Sequence, residues 1–254
     1  MSKFNKRPKY KNPVIREHDN LRAHGFLAEV VLRICYKVGG IFRGKRLERF
    51  QQLFPISEYP ELLDVGGTFS FWAGTSRKVT IVNPLAPPSQ EGNVTSVPGD
   101  GRDLPFPDKA FGLVFSNSAI EHMSHEDMRR FAAELSRVGV GLYCQTPNLW
   151  FPYDTHYIAF FFHWWPGMLR NYFVARYLTG WGWVYRPDRK AVEDWANAVQ
   201  LMGEREFRSL FPDCVIEREK FLGMTKSFVA IRHVPDRNEI LSSKARKQMH
   251  LASR

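Results

Sequence analysis

Two groups of polar residues near the middle of the sequence could carry out acid–base chemistry. Glu121 and His122 are adjacent and follow one short apolar segment, and Asp154 and His156 lie in the stretch that follows the next one. A histidine ring changes its protonation state near neutral pH, so His122 or His156 could remove a proton from a reacting hydroxyl group. Asp154 and His156 could instead bind a substrate or supply half of a metal site. Two polar side chains are too few to indicate a metal ion, and we predict none.

Both groups also have structural interpretations. His122 could be a buried ring that packs beneath a loop. Asp154 or Thr155 could be the N-cap of a helix, because short polar side chains bond the free amides at a helix start. The sequence leaves these alternatives open.

A pair of glycines marks another candidate region, LLDVGG at residues 62–67. Gly66 and Gly67 directly follow an apolar segment, and without side chains they would let the backbone approach a ligand closely. The glycine pattern of dinucleotide-binding and ATP-binding loops is missing from this stretch. Asn83 ends the next apolar segment, where its amide could bind a ribose, or it could merely begin a turn. The glycine pair could likewise be only a tight turn.

Short apolar segments alternate with helical patterns through the centre of the chain. This alternation predicts a parallel sheet that is covered on both faces. Ligands of such sheets bind beyond the carboxyl ends of the strands, where the polar residues above are placed. The predicted strands are 61–65, 79–82, 94–97, 112–116 and 139–145, followed by an antiparallel pair at 215–220 and 225–233. The predicted helices are 14–39, 41–54, 68–75, 125–138 and 188–210.

Four segments, taken in order, resemble one enzyme family. They are LLDVGG at 62–67, VTIVNP at 79–84, GDGRDLPFPDKAFGLVFSNSAIEHM at 99–123 and LYCQTPN at 142–148. Over roughly residues 60–148 the chain is similar to the class I S-adenosylmethionine-dependent methyltransferases of the type 11 group. The resemblance implies an α/β, Rossmann-like fold: a seven-stranded, mostly parallel sheet with helices on both faces, an antiparallel last strand and a helical N-terminal extension. It also implies S-adenosylmethionine as cofactor and S-adenosylhomocysteine as product.

The resemblance further implies which residues hold the cofactor. Asp64 and the glycine pair would face its methionine and ribose part, and Asn117 would line the methionine side. Asn83 would bind the ribose hydroxyls, and Asp100 with the backbone of the following glycine would bind adenine. The full cofactor-binding set is Asp64, Gly66, Gly67, Asn83, Asp100, Gly101 and Asn117.

The chain departs from the family pattern at two of these places. Thr68-Phe69-Ser70 stands where the family usually has a third glycine, and Asn83 stands where it usually has an acidic residue. An amide can still bond a diol, but a charge-assisted hydrogen bond is stronger by about 1 kcal/mol. These departures concern how the cofactor is held.

For catalysis, the resemblance places His122 opposite the transferred methyl group as the general base. Glu121 could orient it or touch the substrate, and His156 is a further catalytic candidate. The family commonly builds its acceptor pocket after the fifth strand. The predicted substrate-binding residues there are Asn148, Trp150, Tyr153 and Asp154.

The net charge of +10 is concentrated at the two ends of the chain. Residues 1–54 carry +9 and residues 235–254 carry +3, whereas residues 55–234 carry −2. A basic segment can bind an anionic membrane or nucleic acid, or can simply aid solubility. Nucleic acid is the less favoured partner, because the basic residues are not interleaved with aromatic stacking platforms. The aromatic-rich stretch 149–187 could fill a core, cover a sugar or lipid acceptor, or contact a membrane surface.

These observations divide the chain into three parts. They are a basic arm with a helical extension at 1–55, a methyltransferase domain at 56–234 with its aromatic insert at 149–187, and a polar basic tail at 235–254. No apolar run is long enough to span a bilayer, and no signal-peptide pattern follows the basic N-terminus. Three widely spaced cysteines indicate reduced thiols rather than disulfides or zinc. We therefore expect a cytoplasmic protein, with contact to the inner face of the membrane as an extension of that expectation.

The expected function is O-methylation of a sugar, a glycolipid or another small molecule. An RNA methyltransferase that uses the basic arm is one alternative. A non-catalytic binding protein that keeps the fold is another. The sequence does not identify the acceptor.

Overall fold

The computed structural model describes residues 30, 44–185, 190, 194 and 196–234. The predicted helix over 14–39, apart from Val30, and the basic tail at 235–254 fall outside the described residues. Within the described ranges, an eight-stranded sheet has helices on both faces, and a small two-stranded sheet lies in the aromatic insert.

The main sheet has the strand order β3–β4–β2–β1–β5–β6–β10–β9. Its five central strands from β4 to β6 are parallel, and the strands at both edges pair antiparallel. The strands are β1 Glu61–Val65, β2 Lys78–Val82, β3 Ser89–Glu91, β4 Val94–Val97, β5 Phe111–Asn117, β6 Gly139–Pro147, β9 Val215–Phe221 and β10 Met224–Arg232. The two-stranded sheet consists of β7 Tyr153–Asp154 and β8 Ala159–Phe160.

This architecture confirms the predicted α/β sheet with its closing antiparallel pair. The one difference is β3, which makes eight strands where seven were expected. β3 has only three residues, all exposed, and it pairs with the edge of β4. Such a short polar segment carries no apolar alternation from which a strand could be predicted.

β1 shows why the sheet is covered on both faces. Its residues after Glu61 are all buried, in the continuous apolar manner of a central parallel strand. Successive side chains point to opposite faces, so Leu62 joins one core cluster and Leu63 the other. Leu62 packs with aromatic residues of the N-terminal face, and Leu63 packs against helices of the C-terminal half.

Several helical segments accompany the sheet, and five of them are labelled here. They are α1 at residues 44–53, α2 His125–Val138, α3 at residues 167–177, α4 Gly180–Tyr185 and α5 Glu204–Leu210. α2 confirms the predicted bounds and begins at Ser124, whose Oγ accepts a hydrogen bond from the Asp127 amide at 3.2 Å. α3 contains a π-helical segment, Arg170–Val174.

α1 packs directly against the sheet. Phe50 and Phe54 at its C-terminal end are fully buried. The Phe50 ring contacts Phe115 and Tyr143 edge-on, with centroids 4.7 and 5.2 Å away. The end of the predicted N-terminal extension is therefore part of one of the two cores.

Two predicted helices differ from the structure. Residues 68–75 form only a single 3₁₀ turn, Phe69–Phe71, after which Trp72 is turned into the core. In the stretch 188–210, the described residues 190, 194 and 196 are helical, residues 198–203 are not, and a separate helix begins after Gly203. The backbone of Met202 there bonds the Leu149 amide, so these residues run beside the chain that leaves β6.

Two further observations concern the cysteines and the membrane. Cys144 and Cys214 are buried free thiols. No helix of the described part combines the length and apolar character that crossing a bilayer requires.

Candidate active site

The glycine turn after β1 is built around the carboxyl group of Asp64. Gly66 has a φ of +90°, a conformation that L side chains rarely adopt. A Cβ on Gly67 would lie 1.7 Å from Oδ2 of Asp64, and a Cβ on Gly66 would lie 2.5 Å from the Cβ of Ala119. The turn therefore requires both glycines, and it abuts the loop that leads to Glu121.

Asp64 is buried with one of its two oxygens unpartnered. The indole Nε1 of Trp72 donates to Oδ2 at 2.6 Å, whereas Oδ1 has no hydrogen-bond partner among the described residues. Burial raises the pKa of Asp64 to about 7, although the Trp72 bond acts in the opposite direction. Sequence reasoning missed Trp72, because its place in the assumed helix gave no sign that it turns inward.

Asn83 joins the end of β2 to the glycine turn. Its Nδ2 donates to the carbonyl oxygen of Gly67 at 3.0 Å, and its Oδ1 accepts from the Leu85 amide at 2.9 Å. Both ends of the amide thus have protein partners. The assignment of Asn83 to the ribose stays a prediction, and in this structure the side chain positions the turn.

Asp100 is held by an ion pair at the end of β4. The Arg102 guanidinium donates to both of its oxygens, at 2.9 Å from Nε to Oδ1 and 2.7 Å from Nη2 to Oδ2. Burial acts to raise the pKa of Asp100, but the Arg102 hydrogen bonds and charge outweigh it and hold that pKa below its ordinary value. Arg102 also pairs with Asp127 on α2 at 2.9 Å. Gly101 has no room for a side chain, because a Cβ would meet Phe131 at 2.5 Å.

Asn117 at the end of β5 contacts the helix α1. Nη1 of Arg46 donates to Oδ1 of Asn117 at 2.7 Å, and the same guanidinium pairs with Glu219 on β9 at 2.9 Å. Ser227 on β10 also donates to the Glu219 carboxylate. Sequence reasoning treated Arg46 as part of a basic face, and only the sheet order brings β9 and β5 to it.

Glu121, His122 and His156 meet in one partly buried cluster. Glu121 and His122 lie in the 3₁₀ turn Ile120–His122 after β5, and His156 follows β7. Glu121 is fully buried: Oε2 accepts from the Thr146 hydroxyl at 3.2 Å, and Oε1 lies 3.9 Å from Nε2 of His156. Burial raises the pKa of Glu121, and the nearby His156 acts against this effect.

His122 is a weak base in this environment. Burial and the neighbouring His156 lower the pKa of its ring to about 3. The two imidazoles meet edge to face with centroids 5.3 Å apart. Nδ1 of His122 is buried and has no partner within the part of the chain that the structure describes.

His156 has the opposite electrostatic environment, because Asp154 lies beside it. Nδ1 of His156 is 3.0 Å from Oδ1 of Asp154, and the other Asp154 oxygen bonds Nε2 of His163. Burial acts to lower the pKa of His156, but the charge and hydrogen bond of Asp154 raise it overall. Burial likewise opposes ionisation of Asp154, yet the two histidines hold its pKa well below the ordinary value. His163 was missed, because it stands among aromatic residues that looked like core.

The remaining predicted substrate residues lie near this cluster along the chain. Nδ2 of Asn148 donates to the Thr225 carbonyl at 2.8 Å and its Oδ1 accepts from the Trp150 amide, so its side chain shapes the turn after β6. The Trp150 ring is exposed, and Tyr153 packs on Phe160 of β8. Their contact with an acceptor stays a prediction.

Comparison with known proteins adds the family. Residues 75–140 match the family model described as a methyltransferase domain, type 11. The matched residues run from just before β2 through β4, β5 and α2, and so include Asn83, Asp100 and Asn117. This segment therefore carries the pattern of a type 11 methyltransferase domain, the same group that the sequence motifs resemble.

Three solved structures to which the chain is similar have low sequence identity. One is a candidate methyltransferase from an antibiotic biosynthesis pathway of Anabaena variabilis, with 16% identity and a TM-score of 0.47, covering 70% of this chain and 64% of that one. A second is a candidate O-methyltransferase from Nostoc punctiforme, with 10% identity and a TM-score of 0.43, covering 74% and 56%. Human N-acetylserotonin methyltransferase, solved with S-adenosylmethionine, has 12% identity and a TM-score of 0.40, covering 72% and 50%. This chain thus spans less than two thirds of each, and no curated protein sequence matches it.

The strand ends are compatible with S-adenosylmethionine, the cofactor that the matched methyltransferase domain implies. The unpartnered Oδ1 of Asp64 is a buried acceptor suited to an ammonium group, such as that of the methionine part. Both oxygens of Asp100 accept hydrogen bonds from Arg102. A carboxylate has about four acceptor positions, so Asp100 can still accept further hydrogen bonds from a ligand. The cofactor, when bound, supplies a methyl group on a sulfonium that a nucleophile displaces in line. The chain's residues have to hold it, exclude water and deliver the acceptor.

Proposed function

We propose that this enzyme methylates a hydroxyl group of a small-molecule acceptor, such as a sugar or a glycolipid. The observation that carries the proposal is the cluster of Glu121, which is buried, with His122 and His156, which are partly buried. It follows the strand end that also carries Asn117, and its loop abuts the glycine turn. A hydroxyl has to lose its proton before or during methyl transfer, so polar groups are needed at this place.

Within the cluster, and with no metal ion bound, His156 is better suited than His122 to accept the proton of the hydroxyl group. A base whose conjugate acid has a pKa near 3 binds a proton poorly at neutral pH, which argues against His122. Asp154 stabilises the protonated ring of His156 and fixes its orientation. This arrangement supports moving the role of base from His122 to His156.

The proposal is tested by supplying the purified protein with methyl-labelled cofactor and a panel of hydroxylated, amino and RNA acceptors. We expect label in a hydroxyl acceptor, and we expect the His156→Asn variant to lose at least about 100-fold in rate while still binding the cofactor in calorimetry. Labelling of RNA alone, or of amines alone, would overturn the proposal. Absence of cofactor binding would leave a non-catalytic protein with this fold.

An exposed apolar face supports a membrane-associated acceptor. Large apolar side chains are exposed along the insert, and Met168 at the start of α3 is 93% exposed. We call this surface the insert face; its members are Phe161, Trp164, Trp165, Met168, Leu169, Phe173 and Leu178. Tryptophan and tyrosine favour the headgroup region of a bilayer. Single exposed apolar residues are common on protein surfaces, whereas seven large ones between residues 161 and 178 suggest a binding role. We therefore propose peripheral contact with an anionic membrane.

Vesicle flotation tests this contact. The full chain should float with vesicles that contain anionic lipid, and the double variant Met168→Ser/Phe173→Ser should lose most of that binding. Leu222→Ser is the matched control, because Leu222 is also exposed, at 81%, but lies in the turn between β9 and β10. Equal flotation of the wild type and the double variant would contradict the proposal.

A further inference from the structure

We infer that Glu121, His122 and His156 form a binding site for a divalent transition-metal ion. Sequence analysis predicted no metal, because it considered only Asp154 and His156 as candidates. The fold places Glu121 and His122 against His156 and thereby supplies two imidazoles and one carboxylate at a single point.

The ligand atoms are close to the spacing that such an ion needs. One nitrogen or oxygen from each residue lies within 4.8 Å of the others. Zinc–ligand bonds of about 2.1 Å place ligands on opposite sides of an ion about 4.2 Å apart, and neighbouring ligands closer. Neighbouring ligands of a tetrahedral ion at that bond length are about 3.4 Å apart, so rotations of the side chains would have to bring the ligand atoms together by up to about 1.4 Å to complete the site.

Two of the three ligand atoms are buried acceptors without partners. Oε1 of Glu121 and Nδ1 of His122 have no hydrogen bond in the described structure, and Glu121 is fully buried. A buried polar atom left unpaired costs about 1–3 kcal/mol, and more if it is charged. Nε2 of His156 lies 3.9 Å from Oε1 of Glu121, which is beyond hydrogen-bond length, so a cation bound between the three side chains would compensate both unpartnered atoms.

The surrounding residues hold the ligands in the way that metal sites require. Asp154 contacts Nδ1 of His156, which leaves Nε2 of that ring facing Glu121. The backbone of Ala198 interacts with the His122 ring in the sense that favours a ring proton, as a carbonyl acceptor does. Thr146 donates to the second oxygen of Glu121. Carboxylate or carbonyl partners on the non-ligating ring nitrogen are the usual outer contacts of metal-binding histidines.

The donor set identifies the class of metal. Two imidazoles and a carboxylate suit Zn²⁺, Co²⁺, Fe²⁺ or Mn²⁺, whereas Mg²⁺ and Ca²⁺ prefer sites made of oxygen atoms. Three protein ligands also leave at least one coordination position open, as catalytic zinc sites do.

The role of the ion rests on the proposed function, although its binding does not. A cation beside the acceptor hydroxyl lowers the pKa of that hydroxyl, so its proton leaves to solvent and a side-chain base is no longer required. The acceptor oxygen then forms a bond to the methyl carbon, the bond from carbon to sulfur breaks, and its electron pair stays on sulfur. The ion thus takes over the task assigned to His156 in the metal-free protein.

The test is direct metal binding by the full chain after removal of metals with a chelator. We expect one tight equivalent of Zn²⁺ in calorimetry and visible d–d absorption on addition of Co²⁺. Glu121→Gln and His156→Asn should each weaken Zn²⁺ binding at least about 100-fold, and His163→Gln, which perturbs only the outer contact, about 10-fold. His125→Gln is the control, because His125 is exposed on α2 and pairs with Glu206 away from the cluster.

Thermal unfolding supplies a second readout that does not depend on activity. Zn²⁺ should raise the melting temperature of the wild type and of His125→Gln but not that of Glu121→Gln; His156→Asn serves if the Gln variant does not fold. No tight equivalent in the wild type, or wild-type affinity in both ligand variants, would overturn the metal site. Methyl transfer that persists in chelator would also overturn its role while sparing the proposed function. Tight metal binding without transfer of a methyl group to any acceptor would overturn the proposed function and leave the metal site standing.

Discussion

Arg46 donates a hydrogen bond to Oδ1 of Asn117 at 2.7 Å, across 71 positions of sequence. This bond connects the N-terminal helix α1 to the strand end that is expected to line the methionine side of the cofactor. The same guanidinium forms an ion pair with Glu219 on β9. The Arg46 side chain therefore connects α1, β5 and β9 at the edge of the site.

Replacing Arg46 with Met should destabilise the protein by about 1–3 kcal/mol. The Arg46 side chain is only 10% exposed and Glu219 28%, so loss of the guanidinium leaves a carboxylate poorly solvated. Arg49→Met is the matched control, because Arg49 pairs with Glu217 between the same helix and strand but the two are 51% and 38% exposed. It should cost less than about 1 kcal/mol in urea unfolding. Equal costs for the two variants would refute the structural role of Arg46.

Asp64→Asn should stabilise the cofactor-free protein at high pH. The pKa of Asp64 rises from 3.8 to about 7 on folding, so the folded state binds its proton more tightly than the unfolded state. The wild type therefore loses stability as the pH rises from about 4 to about 7, at about 1.4 kcal/mol per unit. Between about pH 5 and pH 8 the variant should avoid a loss of about 2 kcal/mol.

Urea unfolding of both proteins at the two pH values checks this expectation. Calorimetry should show at the same time that the variant binds S-adenosylmethionine more weakly, since the buried carboxylate is lost. Parallel pH profiles for wild type and variant would mean that Asp64 does not titrate in this range.

Asp154→Asn should lower the pKa of His156 in the metal-free protein, because it removes the carboxylate charge and the hydrogen bond that raise it. The Asp154 charge raises that pKa in the wild type, against the effect of burial. The attraction between Asp154 and His156 contributes to the free energy of unfolding only where both side chains are charged, that is, above the pKa of Asp154 and below the pKa of His156. The stability difference between wild type and variant should therefore shrink as the pH rises through the folded pKa of His156.

Histidine side-chain NMR in chelator follows this titration directly. Glu206→Gln, which removes the partner of the exposed His125, is the control and should leave His156 unchanged. A His156 titration that is the same in Asp154→Asn as in the wild type would show that the pair is not coupled.

Gly67→Ala should destabilise the fold by about 3 kcal/mol or prevent folding. A Cβ at this position would lie 1.7 Å from Oδ2 of Asp64, which cannot move without breaking its bond to Trp72. Gly112→Ala is the control, because the space around Gly112 on β5 is open. It should change stability by less than about 1 kcal/mol. Thermal unfolding of the two variants provides the comparison, and similar melting temperatures would contradict the clash.

The sequence predicted the sheet well because its strands carry strong local patterns. β1 and β4 begin and end at the predicted residues, since continuous apolar runs bounded by turns are informative without any tertiary contact. The glycine turn and the polar strand ends followed from the same patterns together with the rule for parallel sheets. The helix α2 was equally clear, because its cap, period and length agree.

The sequence could not predict features that depend on distant partners. Trp72 turns inward for Asp64 and Phe50, and Arg46 meets Glu219 and Asn117 only after the sheet has assembled. The division at residue 55 stays a prediction, although Phe54 is buried in the core on the other side of that boundary. The Glu121–His156 contact likewise joins two loops through tertiary structure, and neither loop alone indicates a metal site.

The overlap between Gly67 and Asp64 links the two positions in any exploration of sequence. A library that varies residue 67 alone will return glycine, whatever activity is selected, because every other side chain has a Cβ that meets the carboxylate. A joint library at 64 and 67 can escape this limit, but only through variants that replace the buried acid with a smaller group. A variant with a side chain at position 67 therefore cannot also keep the aspartate at position 64 that is predicted to contact the cofactor.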